Sequence, residues 1–167
     1  MRQLRSMLTG TALAVLGLTP AAAQARAGAP NSLVVTAQNV TAEASPGRAD
    51  KSVAQPGDEI RYRLVFTNVT AGPVKNIQFV DPMPAGMTYV LGSATSSPRV
   101  HVEYSIDGGH SYAAQPQISV VEDGKPVEKP APPERYTHIR WTVVGLLARG
   151  AQVAVEFRGR VSEAPGK

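Results

Sequence analysis

Ile60, Tyr62, Leu64 and Phe66 alternate with Arg61, Arg63, Val65 and Thr67. A period of two over eight residues predicts a half-buried strand with Arg61 and Arg63 facing outward. The same pattern returns near the end of the chain. Ile139, Trp141 and Val143 alternate with His138, Arg140 and Thr142, and Val153, Val155 and Phe157 alternate with Gln152, Glu156 and Arg158. If these last two strands pair as a hairpin, Trp141 faces Val155 and Arg140 faces Glu156. Between the clear strands lie shorter ones. Leu33–Ala44, rich in Val and Thr, reads as a first strand, and Val74–Val80 as another with Ile77 and Phe79 on one face. Met87–Leu91 is a third. Val100, Val102, Tyr104 and Ile106 alternate with His101, Glu103 and Ser105, and Ser111–Ala113 starts a return strand. Ile118–Val121 and Pro126–Glu128 predict a smaller hairpin.

The breaks between these runs carry turn chemistry. Ser45–Asp58 and Asn68–Pro73 are rich in Gly, Pro and polar residues. Asp81-Pro82-Met83-Pro84-Ala85-Gly86 is neither helix nor central strand, because two prolines remove ladder donors. Asp107-Gly108-Gly109 and Asp123-Gly124 are turns. Lys129–Arg135 is proline-rich and predicts a surface loop, and residues 162–167 a polar tail. No apolar stripe of helical period occurs after residue 25. Seven or more short strands with turns between them predict an all-β, antiparallel two-sheet sandwich. Its core is expected to hold Tyr62, Leu64, Phe66, Ile77, Phe79, Val102, Tyr104, Ile106, Ile139, Trp141, Val155 and Phe157.

The N-terminus follows another logic. Arg2 and Arg5 precede an apolar run of 11 residues, Leu8–Leu18, and then Pro20 and Ala21-Ala22-Ala23-Gln24-Ala25. A basic start, a short apolar middle and small residues at a cleavage site are the parts of a secretory signal. The apolar run is well short of the ~20 residues that span a bilayer. The expected organisation is a signal peptide over 1–25, an N-terminal strand and loop over 26–52, a sandwich domain over 53–161 and the tail. No transmembrane segment is expected in the mature protein.

Composition narrows the chemistry. Without Arg2 and Arg5 the net charge falls from +4 to +2, which gives no reason to expect nucleic acid as a partner. With Cys 0, disulfides, thiol catalysis, Cys-ligated zinc and lipid attachment at Cys are excluded for this chain. His101, His110 and His138 lack zinc spacing. Met83 and Met87 flank the Pro-Ala-Gly corner and raise Cu(I) as a ligand. Asp107-Gly108-Gly109 and Glu122-Asp123-Gly124 raise calcium, but neither turn supplies the six to eight oxygens it needs. Asn39-Val40-Thr41 and Asn68-Val69-Thr70 match the glycosylation pattern by coincidence. No nucleophile elbow or nucleotide loop occurs. No cofactor, no metal and no catalytic residue are therefore expected.

One stretch is more specific. Pro56-Gly57-Asp58, then Ile60, Tyr62, Leu64, Phe66 and Asn68, then Asp81, Pro84, Gly86, Met87 and Tyr89 resemble the bacterial domain of unknown function 11, here in a single copy. The resemblance covers roughly Val53–Val161 and implies an immunoglobulin-like sandwich in cell-surface or secreted bacterial proteins, without catalytic activity. Physical reading gives Asp58, Tyr62, Asn68, Asp81, Pro84, Gly86 and Trp141 structural roles, with Asn68 and Asp81 bonding backbone amides at strand ends. The leading expectation is an exported, non-catalytic structural or protein-interaction module, in the periplasm, at the cell surface or secreted, with another envelope or surface protein as partner. The alternative is a carbohydrate- or anion-binding module using Arg140, Arg158, Arg160 and Tyr136. A periplasmic metal carrier is the third reading.

Overall fold

The structure, a computed structural model, describes residues 32–96 and 100–163. The expected signal peptide lies outside them. The regular elements of the described chain are almost all strands, arranged as an antiparallel β-sandwich. The larger sheet has the order β1-β2-β10-β4, with β1 Leu33–Asn39, β2 Glu59–Thr67, β4 Met87–Tyr89 and β10 Gln152–Val161; β5, Thr95–Ser96, also pairs β10. The smaller has the order β3-β9-β6, with β3 Gln78–Pro82, β6 Val100–Ser105 and β9 His138–Val143. A separate ribbon joins β7 Gln117–Glu122 to β8 Lys125–Pro130.

Alternation decides the faces. Ile60, Tyr62, Leu64 and Phe66 of β2 lie opposite Gly159, Phe157, Val155 and Val153 of β10, and these eight residues form the inner face. Ring contacts show which strands lie across the core. Phe79 of β3 meets Phe66 of β2 edge-on at 6.2 Å. Trp141 of β9 meets Phe157 of β10 at 6.0 Å. Tyr104 of β6 meets Tyr89 of β4 at 5.2 Å. Of the twelve expected core residues, Leu64, Phe79, Ile139, Trp141, Val155 and Phe157 are buried in one cluster, with Ile139, Trp141 and Phe157 fully buried, and the other six are half-buried against it. The larger sheet is one strand wider on the β1 side. Leu33 and Val35 share the inner face with their partners Phe66 and Leu64, yet remain 44% and 51% exposed.

The expected hairpin of the last two strands does not form. β9 and β10 belong to different sheets. Residues 144–151 cross between them, because Asn68 holds that crossing. Its backbone N–H donates to the Ala151 carbonyl at 2.9 Å, and its carbonyl accepts from Gly150 N–H at 2.7 Å. Arg140 consequently faces Glu103, and Glu156 faces Arg63.

Other expectations are corrected locally. The first strand ends at Asn39 rather than Ala44, because the Asn39 side chain accepts from Ala42 N–H and caps a helical turn, α1, Val40–Glu43. Strand β3 starts at Gln78 rather than Val74; Val74 forms only a bridge with Leu147. β3 runs on through Asp81 and Pro82, which an edge position tolerates. Ser111–Ala113 yields only a bridge between Ala113 and Tyr104. The Lys129–Arg135 surface loop is replaced by the end of β8, the buried Ala131, and a 3-10 turn over Pro133–Arg135. The Ala131 N–H donates to Pro116 O at 2.9 Å, which draws this segment against the sandwich.

Candidate interaction surfaces

The motif residues are architectural in their contacts. Gly57 takes φ +86° in the turn before β2 and its N–H donates to Val161 O at 2.9 Å, joining the start of β2 to the end of β10. Asp58, 4% exposed, accepts from Asn39 Nδ2 at 2.7 Å, Arg48 Nη1 at 2.8 Å and Gln55 N at 2.8 Å. These bonds, with that from Asn39 foremost, hold its carboxyl below the usual range. Tyr62 stacks on Phe157 at 5.0 Å and donates its hydroxyl to Met87 Sδ at 3.2 Å. Asn68 is fully buried and donates from Nδ2 to Gly72 O and Leu147 O, both at 2.9 Å. The Pro84 carbonyl accepts from Met87 N at 3.1 Å across the corner, where Gly86 has φ +76°.

Asp81 departs from its expected part. Among the described residues it bonds no backbone amide. β3 continues past it, so the carboxyl points between the sheets, where burial raises its pKa and His138 partly offsets that rise. Tyr136 is corrected outright. It is 8% exposed and packed between Tyr89 at 5.3 Å and Tyr104 at 5.1 Å, so it offers no surface for a ligand.

The arginines do not form one cluster. Arg140 lies on the outer face of the smaller sheet, bonded to Glu103 at 2.8 and 3.1 Å and lying 4.0 Å from the Tyr112 ring centroid. Arg158 and Arg160 lie on the outer face of the larger sheet, both paired with Glu59, at 3.0 and 2.8 Å. The two groups are on opposite sides of the sandwich, because β9 and β10 are. Sequence reasoning placed Arg61 and Arg63 outward but missed that they share the Arg158 face. It also missed Tyr112, which no periodicity marks.

The remaining chemistry is occupied by structure. The Asp107 carboxylate accepts from Ser111 Oγ at 2.5 Å, Ser111 N at 2.9 Å, Ser105 Oγ at 2.7 Å and His110 N at 3.1 Å, and lies well below the usual carboxylate range. Its donors point at it, as in a loop cap. Ser105, expected outward, is buried because its hydroxyl also accepts from Gly109 N at 2.9 Å. Met83 and Met87 both pack over Gly159. No group of three His, Cys, Asp or Glu side chains among the described residues is placed to hold a metal ion. A pocket of about 150 Å³ beside Tyr104, Ile106 and Tyr112 is below the ~300 Å³ typical of small-molecule sites.

Two surfaces stand out. One is β1: Leu33, Val34 and Val35 are 44%, 48% and 51% exposed on a strand with one edge unpaired among the described residues. Its sequence, LVVTAQN, contains no charge and no proline, the devices by which edge strands refuse new partners. The other is the arginine-bearing face of β2 and β10. Among the described residues no helix is long and apolar enough to cross a membrane. No known family model matches the chain, and no curated protein matches its sequence.

Proposed function

We propose that the protein is an exported, non-catalytic structural or protein-interaction module of the bacterial envelope or secreted fraction. The observation that carries this reading is the overhang of β1. An apolar, uncharged strand whose inner face is bare and whose edge is open among the described residues suits addition of a strand from another protein. Export is supported by the basic, apolar and small-residue order of residues 2–25. The resemblance of Pro56–Tyr89 to domain of unknown function 11 supports a surface or secreted setting. The structural duties of Asp58, Asn68 and Asp107 support a scaffold rather than an enzyme.

Cell fractionation with N-terminal sequencing tests the export half of the proposal. The expected product is extracytoplasmic and begins at Arg26. A cytoplasmic product retaining residues 1–25 contradicts it.

A further inference from the structure

On the outer face of the larger sheet, β2 and β10 set six charged side chains in three facing rows. Glu59 lies opposite Arg160, Arg61 opposite Arg158, and Arg63 opposite Glu156. The carboxylates occupy diagonal corners, so the guanidiniums form one staircase from Arg63 through Arg61 and Arg158 to Arg160. Like charges directly opposite destabilise a strand pair, and the middle row sets arginine against arginine. Glu59 serves both Arg158 and Arg160, and Glu156 serves Arg63. Arg61 turns instead to the neutral Gln38 amide oxygen. Four cations thus share two carboxylates directly, with a third, Glu43, held behind Gln38 by the Gln38 amide N–H. The other sheet sets its Arg140 opposite a carboxylate, Glu103, so the arginine-against-arginine row is particular to this face.

We propose that this staircase binds a linear polyol chain joined by phosphodiesters, an activity separate from strand addition at β1. Residues two apart on a strand are about 7 Å apart, so the backbone positions of Arg63 and Arg61, and of Arg158 and Arg160, step at about 7 Å, and their long side chains can follow a polymer whose charges repeat on that scale. The whole staircase rises about 14 Å along the strands, enough for about three such charges. Guanidinium forks match phosphate oxygens in pairs. Glu59 and Glu156 repel a chain laid along the opposite diagonal. Tyr62 and Phe157 point inward, and the outward neighbours among the described residues, which include Thr36, Gln38, Val65, Thr88 and Thr95, offer bases no stacking platform.

Fluorescence anisotropy with a labelled oligo(glycerol phosphate) of six units tests the proposal. Saturable binding at low salt is expected, weakened about tenfold or more by Arg61→Gln with Arg158→Gln, and unaffected by Arg140→Gln. Glu59→Gln with Glu156→Gln removes the corner acids and tightens binding. Circular dichroism confirms that each variant is folded. Absence of binding, equal loss in Arg140→Gln, or equal affinity for oligothymidylate of the same charge overturns the proposal.

Discussion

Asn68 and Leu147 are joined by a 2.9 Å hydrogen bond from the buried Asn68 amide to the Leu147 carbonyl, across 79 positions of sequence. The same amide reaches Gly72 O, and its Oδ1 accepts from Thr70 N at 3.0 Å. One side chain therefore fixes the turn after β2 and the crossing that sends the chain from β9 to the opposite sheet. Asn68→Ala removes these hydrogen bonds while the Leu147 carbonyl keeps Val74 N–H and the Gly72 carbonyl keeps Thr70 Oγ1, so the loss is about 0.5–1.5 kcal/mol per bond. Urea unfolding is expected to show the loss as a lower midpoint. Asn68→Asp, which keeps size but cannot donate, is expected to be no better than Ala.

Trp141 anchors the smaller sheet. Its ring is fully buried against Phe157, and its Nε1–H has no acceptor among the described residues. Trp141→Ala is expected to cost about 3–5 kcal/mol. Trp141→Phe keeps a ring and removes the unpaired donor, so thermal unfolding should show a clearly smaller loss than for Ala.

Stability should respond to acid in two opposite ways. Asp58 has its carboxyl held below the ordinary 3.8, so its contribution is complete above that value and is lost as pH falls below it. Asp81 is raised by burial, so ionisation opposes folding at neutral pH and that opposition fades as pH falls toward 3.8. Denaturant titrations should therefore show Asp81→Asn more stable than the parent at pH 7, with the gain vanishing near pH 3 (a point on the scale of about one unit below ordinary carboxylates). Asp58→Asn should be less stable at pH 7 and show a flatter acid limb. Equal pH profiles for both variants and the parent would contradict these assignments.

The faces of the strands were legible in the sequence, and their partners were not. Alternation in Ile60–Phe66, Ile139–Val143 and Val153–Phe157 marks which residues turn inward, because strand side chains alternate whatever the neighbour. It says nothing about which sheet a strand joins. Sequence adjacency favours pairing β9 with β10, whereas the network around Asn68, assembled from positions far apart, separates them. Tyr136 was misread for a related reason. It follows prolines that break periodicity, and its burial comes from Tyr89 and Tyr104 on two other strands. Outward arginines could be read singly. Their grouping follows from the pairing of β2 with β10, so Arg61 and Arg63 replace Arg140 beside Arg158. The overhang of β1 depends on the two sheets having different widths, which no local pattern encodes.

The strand edge makes a separate prediction about stability. Val34 is 48% exposed, so Val34→Lys should shift the unfolding midpoint little, by about 0.5 kcal/mol or less. It should nevertheless place a charge where an added strand would pair.

The most direct test of the interaction module is site-specific photo-cross-linking from Val34 in intact cells, followed by mass spectrometry. A discrete adduct with another envelope or surface protein is predicted from Val34. It should be lost when Thr36→Lys is added, while a probe at exposed Val121 on the β7–β8 ribbon gives no such adduct. Recovery of only the free protein from Val34, or the same adducts from Val34 and Val121, would contradict the account.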